Sequence, residues 1–290
     1  MTDVTTRAIV LGAGGHAASS FEIGFIAGLA DAGVNVRSAD LFVGTSAGAR
    51  VAVQLTSEQA LEELFTQQIG PPAVPAAPLS TLQQLRKDLL EAQAADGSPS
   101  DFLRRIGKLA LNADGDVAAR RASVAMQLPV DAWPDRRMLL VTVEAETGER
   151  RAFDRTSGLP LTDAVAASGA LPRLSPAIPF ADRHYIDGGF YSLDNADLAA
   201  GYDRVLVLTL RAGPSPMSVT PVETTTHILE RAGAQVRVIH PDQATQAVFA
   251  AANFNVLDPS IREPATRAAR EYGRRTAGEG IAAFWQSTAS

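Results

Sequence analysis

The sequence predicts an α/β protein: a mostly parallel sheet with helices on both faces. Three observations predict it. Short apolar runs such as Ala8-Ile9-Val10-Leu11 and Leu41-Phe42-Val43 have the length and uniform apolarity of strands buried on both sides. Each is followed by a glycine-containing turn and then by a helical pattern. The order strand, loop, helix, strand, turn, helix requires crossover connections, which set neighbouring strands parallel.

Taken in order, Ala8 to Leu11 is the first strand and feeds the glycine loop Gly12-Ala13-Gly14-Gly15. A helix is expected from about Ala17 to Ala32, because Phe21, Phe25, Ile26 and Leu29 recur at helical spacing and Gly33 suits a C-cap. Leu41 to Val43 is the second strand and Ala47 to Leu55 the second helix. The stretch Gly70 to Pro78 is proline-rich and interrupts regular structure. A helical block then runs to about Leu128. In it Ser80 and Gln83 resemble a capping box, and Gly97-Ser98-Pro99 and Asp114-Gly115 mark breaks. Its basic residues, Arg86, Lys87, Arg104, Arg105, Lys108, Arg120 and Arg121, are nearly balanced by acids and read as solvated helix faces rather than a membrane-docking surface.

Strand character returns at Met138 to Val143, and Glu146-Thr147-Gly148-Glu149 reads as a hairpin turn before Arg150 to Phe153. Thr162 to Ser168 is a short helix, and His184 to Asp187 a strand ending in an acid. Arg204 to Leu210 and Gln235 to His240 are two further strands. Pro259 to about Trp285 reads as one long helix packed across the sheet. Residues 1–290 are read as a single domain, with about 70–130 as a helical insertion or lid.

Composition narrows the function. Of 290 residues, 46% are hydrophobic and 20% charged, enough apolar material for a sizeable core. A net charge of −6 argues against a nucleic-acid partner, which calls for a basic patch or stripe. The absence of cysteine excludes disulfides, thiolate metal sites and a cysteine nucleophile. The polar start, Met1 to Arg7, leads straight into the first strand, so no signal peptide is expected, and no apolar run is long enough to span a bilayer. A cytoplasmic protein is expected, peripheral to a membrane if it meets lipid.

The stretch with the most chemistry is Gly44-Thr45-Ser46-Ala47-Gly48, a G-x-S-x-G between a strand and a helix. By chance about one chain in ten of this length would contain the pattern, so its position matters more than its letters. A sharp strand-to-helix turn lifts a serine hydroxyl clear of its neighbours, and Gly44 and Gly48 let the two elements approach. The helix that follows points its first N–H groups, Ala47 among them, at a site where negative charge would develop. Ser46 is therefore the candidate nucleophile. The glycine loop offers further backbone donors, Ala13, Gly14 and Gly15, for an oxyanion. Asp187, followed by Gly188 and Gly189, is the candidate acceptor of the serine proton.

Each piece also has an ordinary explanation. A strand, glycine loop and helix occur in dinucleotide-binding folds too, but Ala17 stands where the third glycine of G-x-G-x-x-G belongs. Asp-Gly is a common turn dipeptide. A Ser-His-Asp hydrolase would need a late histidine, and His240, at the end of a strand, is the best placed. His227 reads as a capping or solvent-facing residue, and His16 as a partly exposed loop residue beside the glycine loop, with a place close to the substrate as the alternative. His184 lies three positions from Asp187 on one strand, so the two point to opposite faces.

The joint set Leu11-Gly12-Ala13-Gly14-Gly15, Glu22-Ile23-Gly24, Gly44-Thr45-Ser46-Ala47-Gly48 and Asp187-Gly188-Gly189 resembles the patatin-like phospholipase family. Ala167-Ser168-Gly169-Ala170-Leu171-Pro172 and Asn195-Ala196-Asp197-Leu198-Ala199 add to the likeness, which covers roughly residues 7–55 and 138–211. The resemblance implies a three-layer α/β/α fold and hydrolysis of lipid acyl esters by a Ser-Asp dyad without a catalytic histidine. By position it makes Ser46 the nucleophile and Asp187 the general base. It implies no cofactor and no metal, a lipid or other acyl-ester substrate, and transient contact with a membrane surface. Head-group preference and oligomeric state are not legible. The family's loop usually reads G-G-G-x-R/K-G, whereas Ala13, Ala17 and Ala18 stand here at its first, basic and closing positions. A catalytically silent scaffold and a Ser-His-Asp esterase thus stay open beside the dyad. Leu79, Leu82, Leu85, Leu89, Phe102 and Ile106 of the insertion are expected to cover an acyl chain or to fill the core.

Overall fold

The computed structural model describes residues 5–73, 76 and 78–286. The polar start at 1–4 and part of the expected interruption at 70–78 lie outside the described residues.

The strands are β1 (Arg7–Leu11), β2 (Leu41–Thr45), β3 (Met138–Glu144), β4 (Arg150–Phe153), β5 (Ile178–Phe180), β6 (Arg183–Asp187), β7 (Arg204–Leu208) and β8 (Gln235–Ile239). They form one eight-stranded mixed sheet in the order β5-β6-β3-β2-β1-β7-β8, with β4 also paired to β3. β3, β2, β1, β7 and β8 run parallel, and the pairings of β4, β5 and β6 are antiparallel. The helices are α1 (Gly15–Asp31), α2 (Ala47–Thr56), α3 (Leu61–Ile69), α4 (Leu79–Ala94), α5 (Pro99–Leu111), α6 (Val117–Ala125), α7 (Leu161–Ser168), α8 (Val222–Arg231), α9 (Gln243–Ala251), α10 (Arg262–Thr276) and α11 (Ala282–Gln286).

Alternation along the strands builds two cores. Ile9, Leu11, Phe42, Leu140, Leu206 and Leu208 face one layer, where Phe21, Phe25 and Leu29 of α1, Val51 and Leu55 of α2, and Val165 of α7 close over them. Ala8, Val10, Leu41, Val43, Val141, Val205 and Val207 face the other, under Val222 and Leu229 of α8. On that second face Phe102 and Ile106 of α5 cover Val143 and Ile186. Helices therefore flank the sheet on both sides, as the apolar strands require. Among the described residues, no helix is long and apolar enough to cross a membrane.

Two local expectations are corrected, and four elements carry no signal in the sequence. The capping box at Ser80 and Gln83 does not form, since Pro78 occupies the N-cap of α4 without a side-chain cap. The box belongs to Ser98 and Asp101 on α5, where Ser98 Oγ accepts the Asp101 N–H at 3.3 Å and Asp101 Oδ2 accepts the Ser98 N–H at 2.8 Å. The long C-terminal helix is broken. A short turn at Pro259–Ile261 precedes α10, and a wider turn at Ala277–Ile281 separates it from α11, with Gly280 at φ 110 making the kink. Finally, β5, α3, α8 and α9 were not legible as elements. In α8 the threonines are poor helix formers, but Thr225 and Thr226 return their hydroxyls to the Val222 carbonyl at 2.9 and 2.8 Å.

The strand pairing of β3 positions the candidate site. At Leu140 and Val141, β3 pairs with both β2 and β4; at Thr142 and Val143 it pairs with both β4 and β6. A strand has two edges, so β2 and β6 must share the edge opposite β4. β2 ends at Thr45 beside Val141, and β6, running the other way, ends at Asp187 beside Thr142. Two strands thus meet end to end, and the residues at and just beyond their tips are forced together.

Candidate active site

Ser46 leaves β2 with φ 57 and ψ −114, a conformation that costs a residue with a Cβ on the order of 1–3 kcal/mol. Its N–H donates to Ser168 Oγ at 2.9 Å, and that hydroxyl donates to the Val141 carbonyl at 2.7 Å. Ser168, at the end of α7, therefore ties the strained turn to β3. From behind, α2 rests so closely on β1 that a Cβ on Gly48 would stand 2.1 Å from the Leu11 carbonyl oxygen. The second motif glycine is a spacing requirement.

Asp187 is fully buried. Its N–H donates to the Ala170 carbonyl at 3.1 Å, and its Oδ1 accepts the Gly189 N–H at 2.8 Å. Oδ2 has no other well-aligned partner, and the neighbouring Ser46 hydroxyl helps to hold the ionised form. Burial outweighs the Ser46 and Gly189 hydrogen bonds and the charge of Arg120, and carries this carboxyl from 3.8 up to about 6. Asn195 joins the two tips. Its Nδ2 donates to Thr45 Oγ1 at 3.1 Å and to the Ser192 carbonyl at 2.7 Å, and reaches the Gly188 carbonyl at 3.4 Å.

The glycine loop lies alongside. Gly12 accepts the Gly48 N–H at 3.2 Å and donates to the Leu208 carbonyl at 3.0 Å, anchoring the loop between α2 and β7. Ala13 is corrected as an oxyanion donor: its N–H is already given to the Leu193 carbonyl at 2.7 Å. Gly14, at φ 145, turns the chain into α1. The N–H groups of Gly14, Gly15 and Ala47 meet no protein acceptor among the described residues. Ala47 opens α2 and Gly15 opens α1, positions whose N–H has no intrahelical partner. The other two departures from the glycine pattern, Ala17 and Ala18, fall inside α1 and not in the loop. Alanine is the best helix former there, so neither change strains the loop.

These groups face a cavity of about 420 Å³ with a largely apolar wall that includes Leu85, Val124, Val165, Leu171, Leu210, Met217 and Leu257. The insertion covers it differently from expectation. Leu85 alone of the six apolar candidates lines the cavity, while Leu79 is 65% exposed and Phe102 and Ile106 fill the core on the second face. α6 supplies Val124 and Arg120 instead. Arg120 is therefore no solvated-face residue. It is half-buried, donates to the Gly169 carbonyl at 3.1 Å, and its charge acts on Asp187. Sequence reasoning missed Arg120, Ser168 and Asn195 as contributors to this site.

The histidines separate clearly. His240 follows β8, with Nδ1 3.2 Å from the Thr209 carbonyl, and does not line the cavity. In the order β2-β1-β7-β8 it is three strand spacings from Ser46, about 14 Å. His184 pairs with Glu146 at 2.7 Å, and His227 is exposed on α8. His16 lies in the first turn of α1 rather than in a loop, and lines the cavity. Burial and the charges of Arg262 and Arg50 push it down to about 4, so it is neutral at pH 7.

No protein-family model and no curated protein matches the chain. Among solved structures it is similar to VipD from Legionella pneumophila, with 13% identity over 97% of this chain and 67% of that one, at a TM-score of 0.44. It is similar to the type III effector protein ExoU, with 13% identity over 94% of this chain and 53% of that one, at 0.36. It is also similar to full-length ExoU in complex with SpcU from the type III secretion system of Pseudomonas aeruginosa, with 16% identity over 99% and 53% of the two chains, at 0.42. The chain spans about half the length of ExoU.

Proposed function

We propose that this chain is a serine acyl hydrolase that cleaves acyl esters of lipids through a Ser46–Asp187 dyad and an acyl-enzyme intermediate. One observation carries the reading: a strained serine and a buried aspartate of raised basicity stand at the meeting tips of β2 and β6, beside three unspent N–H donors and an apolar cavity. Asp187 takes the Ser46 proton as Oγ attacks the acyl carbon. Gly14, Gly15 and Ala47 donate to the oxyanion, and such a donor is worth roughly 3–4 kcal/mol in comparable sites. Asp187 returns the proton to the departing alcohol, then activates the water that releases the acid. His240 has no part in this reading, since it stands three strands along the sheet from Ser46 and does not line the cavity. Exposed Phe254 and Met126, at 67% and 69%, support a contact with lipid surfaces, and Val256 and Leu257, close after Phe254 in the chain, line the apolar cavity.

A fluorophosphonate probe should label the native protein and leave Ser46→Ala unlabelled. A panel of p-nitrophenyl esters and phospholipid vesicles should show turnover, and vesicle binding on sedimentation, with the native protein alone hydrolysing. An unlabelled, inert native protein would mean a silent scaffold.

The pH dependence follows from the raised carboxyl. The base works only when ionised, so kcat/KM should climb as pH rises through about 6 and level off above it. An ordinary aspartate near ~3.9 would give a plateau already by about pH 5. A rate unchanged between pH 5 and 8 would contradict the assignment of the base.

A further inference from the structure

Three consecutive residues at the end of α7 each hold a different group of the site. Ser168 Oγ accepts the Ser46 N–H at 2.9 Å, the Gly169 carbonyl accepts from Arg120 Nη2 at 3.1 Å, and the Ala170 carbonyl accepts the Asp187 N–H at 3.1 Å. Nucleophile, base and guanidinium are thus fastened to one turn of backbone. The guanidinium comes from α6, in the insertion, and lines the same cavity as the other two.

A cation is favoured at a helix C-terminus, and capping α7 would explain one edge of Arg120. It does not explain the rest of the side chain. Nη2 makes both carbonyl contacts, to Gly169 and, at 3.5 Å, to Ala166, while Nε is buried with no acceptor. The next residue shows how α6 spends a cation that only fastens it. Arg121 closes on both carboxylate oxygens of Asp163, in the first turn of α7, at 2.6 and 2.8 Å. Arg120 has no such clasp. Among the described residues no carboxylate is hydrogen-bonded to it, and the negative charge that acts on it is that of Asp187, as its own acts on Asp187.

The other charged groups around the dyad are occupied elsewhere or share the sign of Arg120. Arg50 and Arg211 line the cavity as cations, and His16 as a neutral imidazole at pH 7. Glu22 of α1 acts on Arg50. On β3 the uncharged Thr142 pairs with Asp187, and Glu144, two residues on, lies 3.6 and 3.7 Å from Arg151 and Arg183. Asp194 accepts from Thr225 Oγ1 at 2.6 Å and from the Ala196 N–H at 2.9 Å.

We propose that Arg120 is a positioning residue of the dyad: anchored on the turn that holds both Ser46 and Asp187, its guanidinium is the fixed counter-charge of the Asp187 carboxylate. The proposal rests on the acyl hydrolase reading above. As Oγ bonds to the acyl carbon, its proton passes to Asp187 and the carbonyl electron pair becomes the oxyanion. One negative charge therefore moves from carboxylate to oxyanion, and the site carries it at both ends of the step. A cation held by backbone serves both and need not reorganise as the charge moves.

Two substitutions separate charge from support. Arg120→Gln still offers N–H donors but is neutral, and Arg120→Lys keeps the charge. Two readouts follow each: the carbon-13 NMR titration of the Asp187 carboxyl, identified by its absence from Asp187→Asn, and kcat/KM against pH. In Arg120→Gln both midpoints should rise from about 6 by about one pH unit, the lower end of what a neighbouring opposite charge does. Turnover then falls about fivefold at pH 6 and little at pH 8. Arg120→Lys should restore the native midpoint, and Arg121→Gln, which loosens α6 but leaves the cavity's charge, should not move it. A loss of turnover equal at every pH, with Asp187 titrating as in the native protein, would make Arg120 a mere prop of α7 and overturn the proposal. A midpoint that Arg120→Lys fails to restore, or that Arg121→Gln moves as far, would overturn it too. Should Arg120→Gln not fold, the same exchange in the Asp187→Asn protein should, because the carboxylate that needs the cation is gone; failure there as well means a structural role. The titration requires no catalysis. A midpoint that follows Arg120 in a protein that hydrolyses no ester leaves the pair standing and defeats the hydrolase reading, and turnover with an unmoved midpoint does the reverse.

Discussion

Asp187→Asn should lower ester turnover by roughly 10⁴-fold or more, the scale at which neutralising a catalytic carboxylate acts, while making the fold more stable at pH 8. The first effect follows from chemistry. Asparagine can still accept the Gly189 N–H through its oxygen, so the tip of β6 keeps its shape, but its amide cannot take the Ser46 proton. The second follows from the sign of the pKa change. The folded protein holds the Asp187 proton more tightly than the unfolded chain, so native Asp187 costs nothing below about pH 4. It costs progressively more as pH rises to about 6, and its full penalty persists above. The rise from 3.8 to about 6 is roughly two pH units, at about 1.4 kcal/mol each, so the penalty relieved is on the order of 3 kcal/mol at most. Thermal melts at pH 4 and pH 8 test it. The variant's advantage should be present at pH 8 and shrink toward pH 4. A variant that is inactive yet less stable at pH 8 would mean that Asp187 holds the fold together rather than serving as a strained base.

The dyad was legible because each member sits in a short local pattern, a strand running into glycine-flanked turns. The meeting of β2 and β6 on one edge of β3 was not, because it depends on register between strands roughly a hundred residues apart. The same holds for the supporting residues. Ser168 clamps the Ser46 turn from 122 positions away, and Asn195 reaches Thr45 across 150. Ala13 looked like a donor until the Leu193 carbonyl claimed its N–H. Arg120 looked like one basic residue among several on helices that face water, and no periodicity distinguishes the one that turns inward. The glycine-loop alanines went the other way. Counted against a pattern they suggested damage, but the helix begins early enough to absorb Ala17 and Ala18.

Gly48→Ala should cost the protein both stability and turnover, against the direction that helix propensity alone would give. In an exposed helix alanine is better than glycine by about 1 kcal/mol. Here the new methyl would stand 2.1 Å from the Leu11 carbonyl oxygen, 2.4 Å from its carbon and 2.9 Å from the Gly12 oxygen, all of them backbone. No rotamer relieves that contact, so α2 must draw back from β1 by about 1 Å, and overpacking of this kind costs roughly 2–4 kcal/mol. The retreat also stretches the 3.2 Å bond from the Gly48 N–H to Gly12. That bond couples the helix carrying Ser46 and Ala47 to the loop carrying Gly14 and Gly15. One methyl group therefore parts the nucleophile from two of its oxyanion donors, and a misplacement near 1 Å lowers turnover by about a hundredfold. Gly278→Ala provides the comparison, since a Cβ there meets nothing within 4 Å; it should leave activity where it was and hold or slightly raise the melting temperature. A Gly48→Ala protein that melts and hydrolyses like the native one would show that α2 has room to spare, and that the tight approach of helix to strand is not what holds Ser46 in place.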